Sequence, residues 1–133
     1  MALKDSPEGG RAVVTTKAEG DAAEDRALHY LLGRGLRLAA RNYRTPGRGG
    51  GEIDLVLWDR DGTLVFVEVR KRASRAFGGA LGSITAAKQR RIVFAARHYL
   101  LKLRSQPPCR FDVVCLEDES GGIQWMRAAF DAS

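Results

Sequence analysis

The stretch GEIDLVLWDRDGTLVFVEVRKR, Gly51 to Arg72, decides the fold of this chain. It reads as two β-strands around a short turn, with Asp61-Gly62 as the hairpin signal. Alternation places Glu52, Asp54, Val56 and Trp58 on one face of the first strand and Ile53, Leu55 and Leu57 on the other. On the second strand Leu64, Phe66, Glu68 and Arg70 share a face, backed by Val65, Val67 and Val69. With residues 59–63 as the loop, Trp58 pairs with Leu64, Val56 with Phe66 and Asp54 with Glu68. Like charges directly opposed in a half-buried sheet destabilise it. A divalent cation between the two carboxylates removes the conflict. The competing reading is a structural ion pair for each acid, with Arg70 or Arg110 as partner.

Working outward, Thr16-Lys17-Ala18-Glu19 fits a capping box that opens a helix to about Arg34. Its apolar stripe is Ala27, Leu28 and Leu31, with Leu32 beside it. Glu24 lies one and two turns before Leu28 and Leu31 and so faces the core side. Residues 36–44 form a short basic strand, and the glycine-rich loop 45–51 leads into Glu52. After the hairpin, residues 73–83 form a glycine-rich, basic connection long enough to lie over a site. A second helix spans 85–103, with Ile84, Ala87, Ile92, Ala95, Ala96, Tyr99 and Leu103 at helical spacing. Strands at 110–116 and 123–126 follow, joined by the turn Ser120-Gly-Gly. The order αβββαββ predicts an α/β fold, a mixed sheet with helices able to cover both sides. Residues 1–15 lack periodicity and read as a flexible tail before a single domain, 16–133.

The 133 residues carry a net charge of +6, unevenly distributed. Between Val69 and Arg104 there are ten Lys or Arg and no Asp or Glu. Such a field attracts a polyanion. Arg41, Tyr43 and Arg44 add basic and aromatic character suited to phosphate contact and base stacking. With Arg48, Lys71, Arg72, Arg75 and Gln89 they make the candidate nucleic-acid surface, DNA being the expected partner. Cys109 and Cys115 would sit about 20 Å apart on one strand, too far to bridge. Neither cysteine, nor His29 or His98, has metal-ligand spacing. No run reaches the length of a membrane span, and no signal-type apolar segment opens the chain. These features predict a soluble, cytoplasmic protein with no membrane partner.

Four segments together resemble the PD-(D/E)XK nuclease superfamily, and within it the YraN-like family of small bacterial proteins. They are Ala23-Glu24 leading to Tyr30-Leu31, Arg41-Asn42-Tyr43-Arg44, Gly51-Glu52-Ile53-Asp54-Leu55 and Val65-Phe66-Val67-Glu68-Val69. Lys88-Gln89, Arg110 to Val114 and Ala129-Phe130 support them. The resemblance implies a restriction endonuclease-like core, shared with Holliday-junction resolvases, and metal-dependent phosphodiester hydrolysis. It implies that Asp54 and Glu68 bind Mg²⁺ or Mn²⁺ and that Glu24 completes the site. Glu52, on the face of Asp54, is a further candidate ligand.

The chain departs from the superfamily at position 70, where the usual lysine is Arg70. Arginine keeps the charge and grips phosphate but is never deprotonated. Lys71 points to the opposite face of the strand, and Lys88 on the following helix is the other candidate for the lysine's place. Asp54, Glu68, Arg70 and Lys88 are thus the candidate catalytic set. Two other readings stay open: a nucleic-acid-binding protein that has lost cleavage with the lysine, and an interaction module whose basic surface meets an acidic protein. A single-site nuclease that cuts two strands often works as a homodimer.

Overall fold

The structure, a computed structural model, describes residues 16–72, 84–117 and 121–132. The N-terminal tail 1–15, the connection 73–83 with Arg75, and Ser120 lie outside the described residues, as do the side chains of Thr16 to Glu19 and of Arg72. The elements in chain order are α1 (Thr16–Gly33), β1 (Arg37–Arg44), β2 (Glu52–Trp58), β3 (Leu64–Arg72), α2 (Ala86–Leu100), β4 (Cys109–Glu117) and β5 (Ile123–Phe130).

The five strands form one sheet in the order β1-β2-β3-β4-β5. All neighbours are antiparallel except β3 and β4, which run parallel because α2 provides the crossover between them. The sheet is therefore mixed, its two faces are covered by one helix each, and the arrangement is consistent with a restriction endonuclease-like core. On one face Ala23, Ala27 and Leu31 of α1 pack on Leu55, Leu57, Val65, Val67, Val114 and Leu116. On the other, Ile92, Val93, Ala95 and Ala96 of α2 pack on Val56, Leu64, Phe66 and Phe111. A strand buried on both sides reads as a continuous apolar run, and Val65-Phe66-Val67 is fully buried for that reason.

Most element limits follow the periodicity of the sequence. The last strand does not: β5 extends to Phe130, past the 123–126 segment that alternation marks. Its register shifts against β4 between Phe111 and Val113, and Ala128 adopts a positive φ of 50° there. Asp112 anchors this irregularity. It is fully buried, and its carboxylate accepts hydrogen bonds from Arg110 Nε at 3.0 Å, Trp125 Nε1 at 2.9 Å and the Ala128 amide at 2.9 Å. Arg110 Nη1 reaches on to Asp59 Oδ2 at 2.9 Å. Arg110 is thereby tied to Asp59 and Asp112, which removes it as the structural partner of Asp54 or Glu68.

Candidate functional site

The hairpin register places the two acids. The β2–β3 ladder pairs Trp58 with Leu64, Leu57 with Val65, Val56 with Phe66 and Leu55 with Val67, as the five-residue loop dictates. At the next position the ladder gives way. Asp54 Oδ2 accepts the backbone N–H of Val69 at 2.8 Å. Ile53 does not share the face of Leu55 and Leu57; it packs with Val56 in the cluster beneath α2. The strand changes phase at Asp54, so simple alternation fails there. Glu52 is affected too. It lies half-exposed beside Arg44 Nε at 3.6 Å and lines a different pocket from Asp54.

Asp54 and Glu68 are buried, and their carboxyl groups open into one cavity of about 300 Å³, lined also by Glu24, Arg70, Lys71 and Lys88. Burial first, and the Glu68 charge second, push the Asp54 carboxyl up to about 8, against the opposing pull of the Val69 amide. Without a cation, the site therefore favours the protonated form of the Asp54 carboxyl. Glu68 Oε2 meets two cations, Arg70 Nη1 at 3.3 Å and Lys88 Nζ at 3.4 Å. Lys88 comes from the first turn of α2, where Thr85 caps the helix by accepting the Lys88 amide at 3.0 Å.

Glu24, from the core-facing side of α1, turns a mostly buried side chain into the same cavity. Its Oε1 accepts no hydrogen bond, and Arg41 Nε stands 3.6 Å from it. A buried oxygen left without a donor is costly unless something else satisfies it. Among the described residues no three Asp, Glu, His or Cys side chains form a ready-made metal cluster. The donors nonetheless fit a hard divalent ion: Mg²⁺ uses few carboxylates and fills its octahedron with water and substrate oxygen. Asp54 and Glu68 offer such a pair, and Glu24, whose Oε1 has only the Arg41 ion pair at 3.6 Å, lines the same cavity.

Several residues expected on a nucleic-acid surface are engaged within the protein. Arg41 clamps α1: Nη2 lies 2.6 Å from Asp25 Oδ1 and also donates to the Asp21 carbonyl at 3.3 Å. Tyr43 is part-buried, its hydroxyl 2.6 Å from His98 Nδ1, its ring edge-on to Tyr99 and covered by Lys102 Nζ at 4.5 Å. These contacts engage the ring within the protein. Gln89 donates to the Ile84 carbonyl at 3.2 Å and lines a groove on the outer side of α2. Arg44 and Arg48 are exposed, and Lys71 lines the acid cavity. Arg91, one of the ten basic residues between Val69 and Arg104, was not singled out for a site, although its spacing of three from Lys88 places both on one helix face.

A family model matches residues 23–116, a span that contains Glu24, Asp54, Glu68 and Lys88. The chain belongs to the uncharacterised protein family UPF0102. It is 68% identical over 126 residues to a UPF0102 protein of Paracidovorax citrulli, with 95% of this chain and 92% of the relative covered. A UPF0102 protein of Methylibium petroleiphilum is 64% identical over 124 residues, covering 91% of this chain and 100% of the relative. Among solved structures, Pyrococcus furiosus SfsA in complex with Ca²⁺ matches at 16% identity and a TM-score of 0.37, over 87% of this chain and 65% of that one. A likeness that slight carries no weight for chemistry. Among the described residues of this UPF0102 chain, no helix is long and apolar enough to cross a membrane.

Proposed function

We infer that this UPF0102 protein is a metal-dependent endonuclease of the PD-(D/E)XK type, hydrolysing phosphodiester bonds in DNA. One observation carries the reading: buried Asp54 and Glu68 open into one cavity, with the Lys88 ammonium 3.4 Å from Glu68. Asp54 and Glu68 would hold Mg²⁺ or Mn²⁺, with Glu24 bound directly or through water. When bound, such an ion polarises the scissile phosphate and lowers the pKa of a coordinated water. Lys88 takes the part that Arg70 cannot. Its amine is able to exchange a proton, whereas the guanidinium of Arg70 stays charged and serves only to stabilise charge on the phosphate. Branched DNA is the substrate suggested by analogy with the resolvases.

One observation favours a second reading, a DNA-binding protein that no longer cuts. Arg70 and Lys88 both approach the same oxygen, Glu68 Oε2, so that carboxylate is already neutralised from within the protein.

The test is incubation of purified protein with labelled linear, flapped and four-way DNA in Mg²⁺ or Mn²⁺, beside Asp54→Asn and Glu68→Gln. Cutting by the wild type that both variants lose supports the nuclease. Cutting that survives in both sinks the assignment of the site. Salt-dependent binding without cutting under any metal supports the second reading.

A further inference from the structure

A second cavity, of about 350 Å³, lies on the other side of Lys88. Its walls are Arg44, Lys88 and Arg91, with Glu52 and the backbone of the loop 45–51. The loop is closed at its neck: the Thr45 amide donates to the Gly51 carbonyl at 3.0 Å, and the Gly51 amide donates to Thr45 Oγ1 at 2.7 Å. Glycine is required at the neck, because a Cβ on Gly51 would fall 2.0 Å from the Arg91 carbonyl oxygen. The loop thus rides directly on the backbone of α2. At Gly47 and Gly49 the φ angles are +87° and +71°, and a Cβ there would meet only open space. Bare backbone faces the cavity, fixed in place by the neck.

The charge of this cavity is unusual for its position. Helix N-termini favour acids, yet α2 has none in its first turn and presents Lys88 and then Arg91. Among the described residues Arg91 makes no ion pair. Glu52 offsets Arg44 only across 3.6 Å, with both side chains largely in water, where such a pair contributes little. Arg44 and Arg91 face one acid here, and Lys88 is shared with Glu68 of the neighbouring cavity, so the pocket is short of negative charge.

We propose that this pocket seats a backbone phosphate of the DNA strand next to the phosphate at the acid cavity, with Arg44 and Arg91 as its ligands and Lys88 as the wall between the two seats. The proposal rests on the nuclease or DNA-binding reading of the acid cavity and adds the part that holds the chain in register. Two seats divided by one lysine recognise a polymer of phosphodiesters and not a single phosphate.

The test is fluorescence anisotropy of a short fluorescein-labelled DNA duplex in chelator over a salt series, with wild type, Arg44→Ala/Arg91→Ala and Arg91→Glu. Arg90→Ala, on the outer face of α2, is the control, and circular dichroism checks that each variant is folded. We expect the double variant to bind roughly tenfold more weakly at low salt, with the slope of log affinity against log salt reduced by about 1 to 2. Arg91→Glu weakens binding further and Arg90→Ala leaves it unchanged. Equal affinity of wild type and the double variant overturns the pocket while the acid-site reading stands. No binding by wild type overturns both. Loss of binding in the double variant, with no cutting by wild type in Mg²⁺ or Mn²⁺, sustains the pocket and removes only the catalytic reading. A labelled poly-glutamate peptide bound as tightly as the duplex overturns the choice of ligand.

Discussion

Asp54 Oδ2 accepts the Val69 amide at 2.8 Å, so a side chain occupies the place where the β2–β3 ladder would continue. The contact ends the pairing of the two strands at Leu55–Val67 and turns the Asp54 carboxyl toward Glu68 and Glu24. It also stabilises the ionised form of Asp54, though burial and the Glu68 charge outweigh it.

That balance predicts a pH dependence of stability. The Asp54 carboxyl rises from 3.8 to about 8 on folding, so the folded state binds more protons than the unfolded one across this interval. Stability then falls as pH rises from about 4 to about 8 and levels off above, the reverse of an ion-paired acid. Urea unfolding in chelator between pH 5 and pH 9 should show the decline, and Asp54→Asn should flatten it. Mg²⁺ should raise the wild-type melting temperature more at pH 8 than at pH 6. A wild-type profile as flat as that of Asp54→Asn would contradict the electrostatics of the site.

Lys88 and Arg70 share one carboxylate but should not share one role. Lys88→Met is expected to lower the single-turnover cleavage rate by roughly a hundredfold or more, the scale of losing one charge-stabilising donor. Arg70→Lys should retain or raise it. Greater loss in Arg70→Lys than in Lys88→Met would return the lysine function to the strand.

Arg41 is a clamp between β1 and α1. Replacing it with Met should reduce stability by about 1 kcal/mol, since Asp25 is exposed and screened while Glu24 is mostly buried. The salt slope of DNA binding should stay the same. A slope lowered by about one unit would instead make Arg41 a phosphate contact.

Asp112 has no part in the proposed chemistry and should dominate stability. Asp112→Ala leaves the Arg110 guanidinium, the Trp125 indole N–H and the Ala128 amide without their shared acceptor, and Arg110 Nη2 already lacks a partner. Breaking a buried pair of this kind costs about 3–5 kcal/mol. Denaturant unfolding followed by tryptophan fluorescence would measure it. A loss below about 1 kcal/mol would mean that water replaces the carboxylate.

Local pattern alone carried the order of the elements and the hairpin loop. Period-two alternation marked the strands, helical spacing marked α1 and α2, and a five-residue loop fixed which residues of β2 and β3 face each other. Acids at 54 and 68 on neighbouring strands were legible without a fold because the loop is local, but their direct pairing was not, since the ladder ends at Leu55–Val67. Glu24 was legible for the same reason, as one residue on the core side of a helix.

Tertiary packing decided the rest, because it joins residues far apart in the chain. Whether Lys88 reaches Glu68 depends on where the crossover sets α2 on the sheet, which no local pattern encodes. That Arg41 and Tyr43, expected on a nucleic-acid surface, also meet Asp25, His98 and Tyr99 follows from how α1 and α2 pack against β1. The phase change at Asp54 arises from a side chain competing with the backbone for the Val69 amide, a contest that alternation cannot register. The acids were written in the hairpin, and the fold chose which cations meet them.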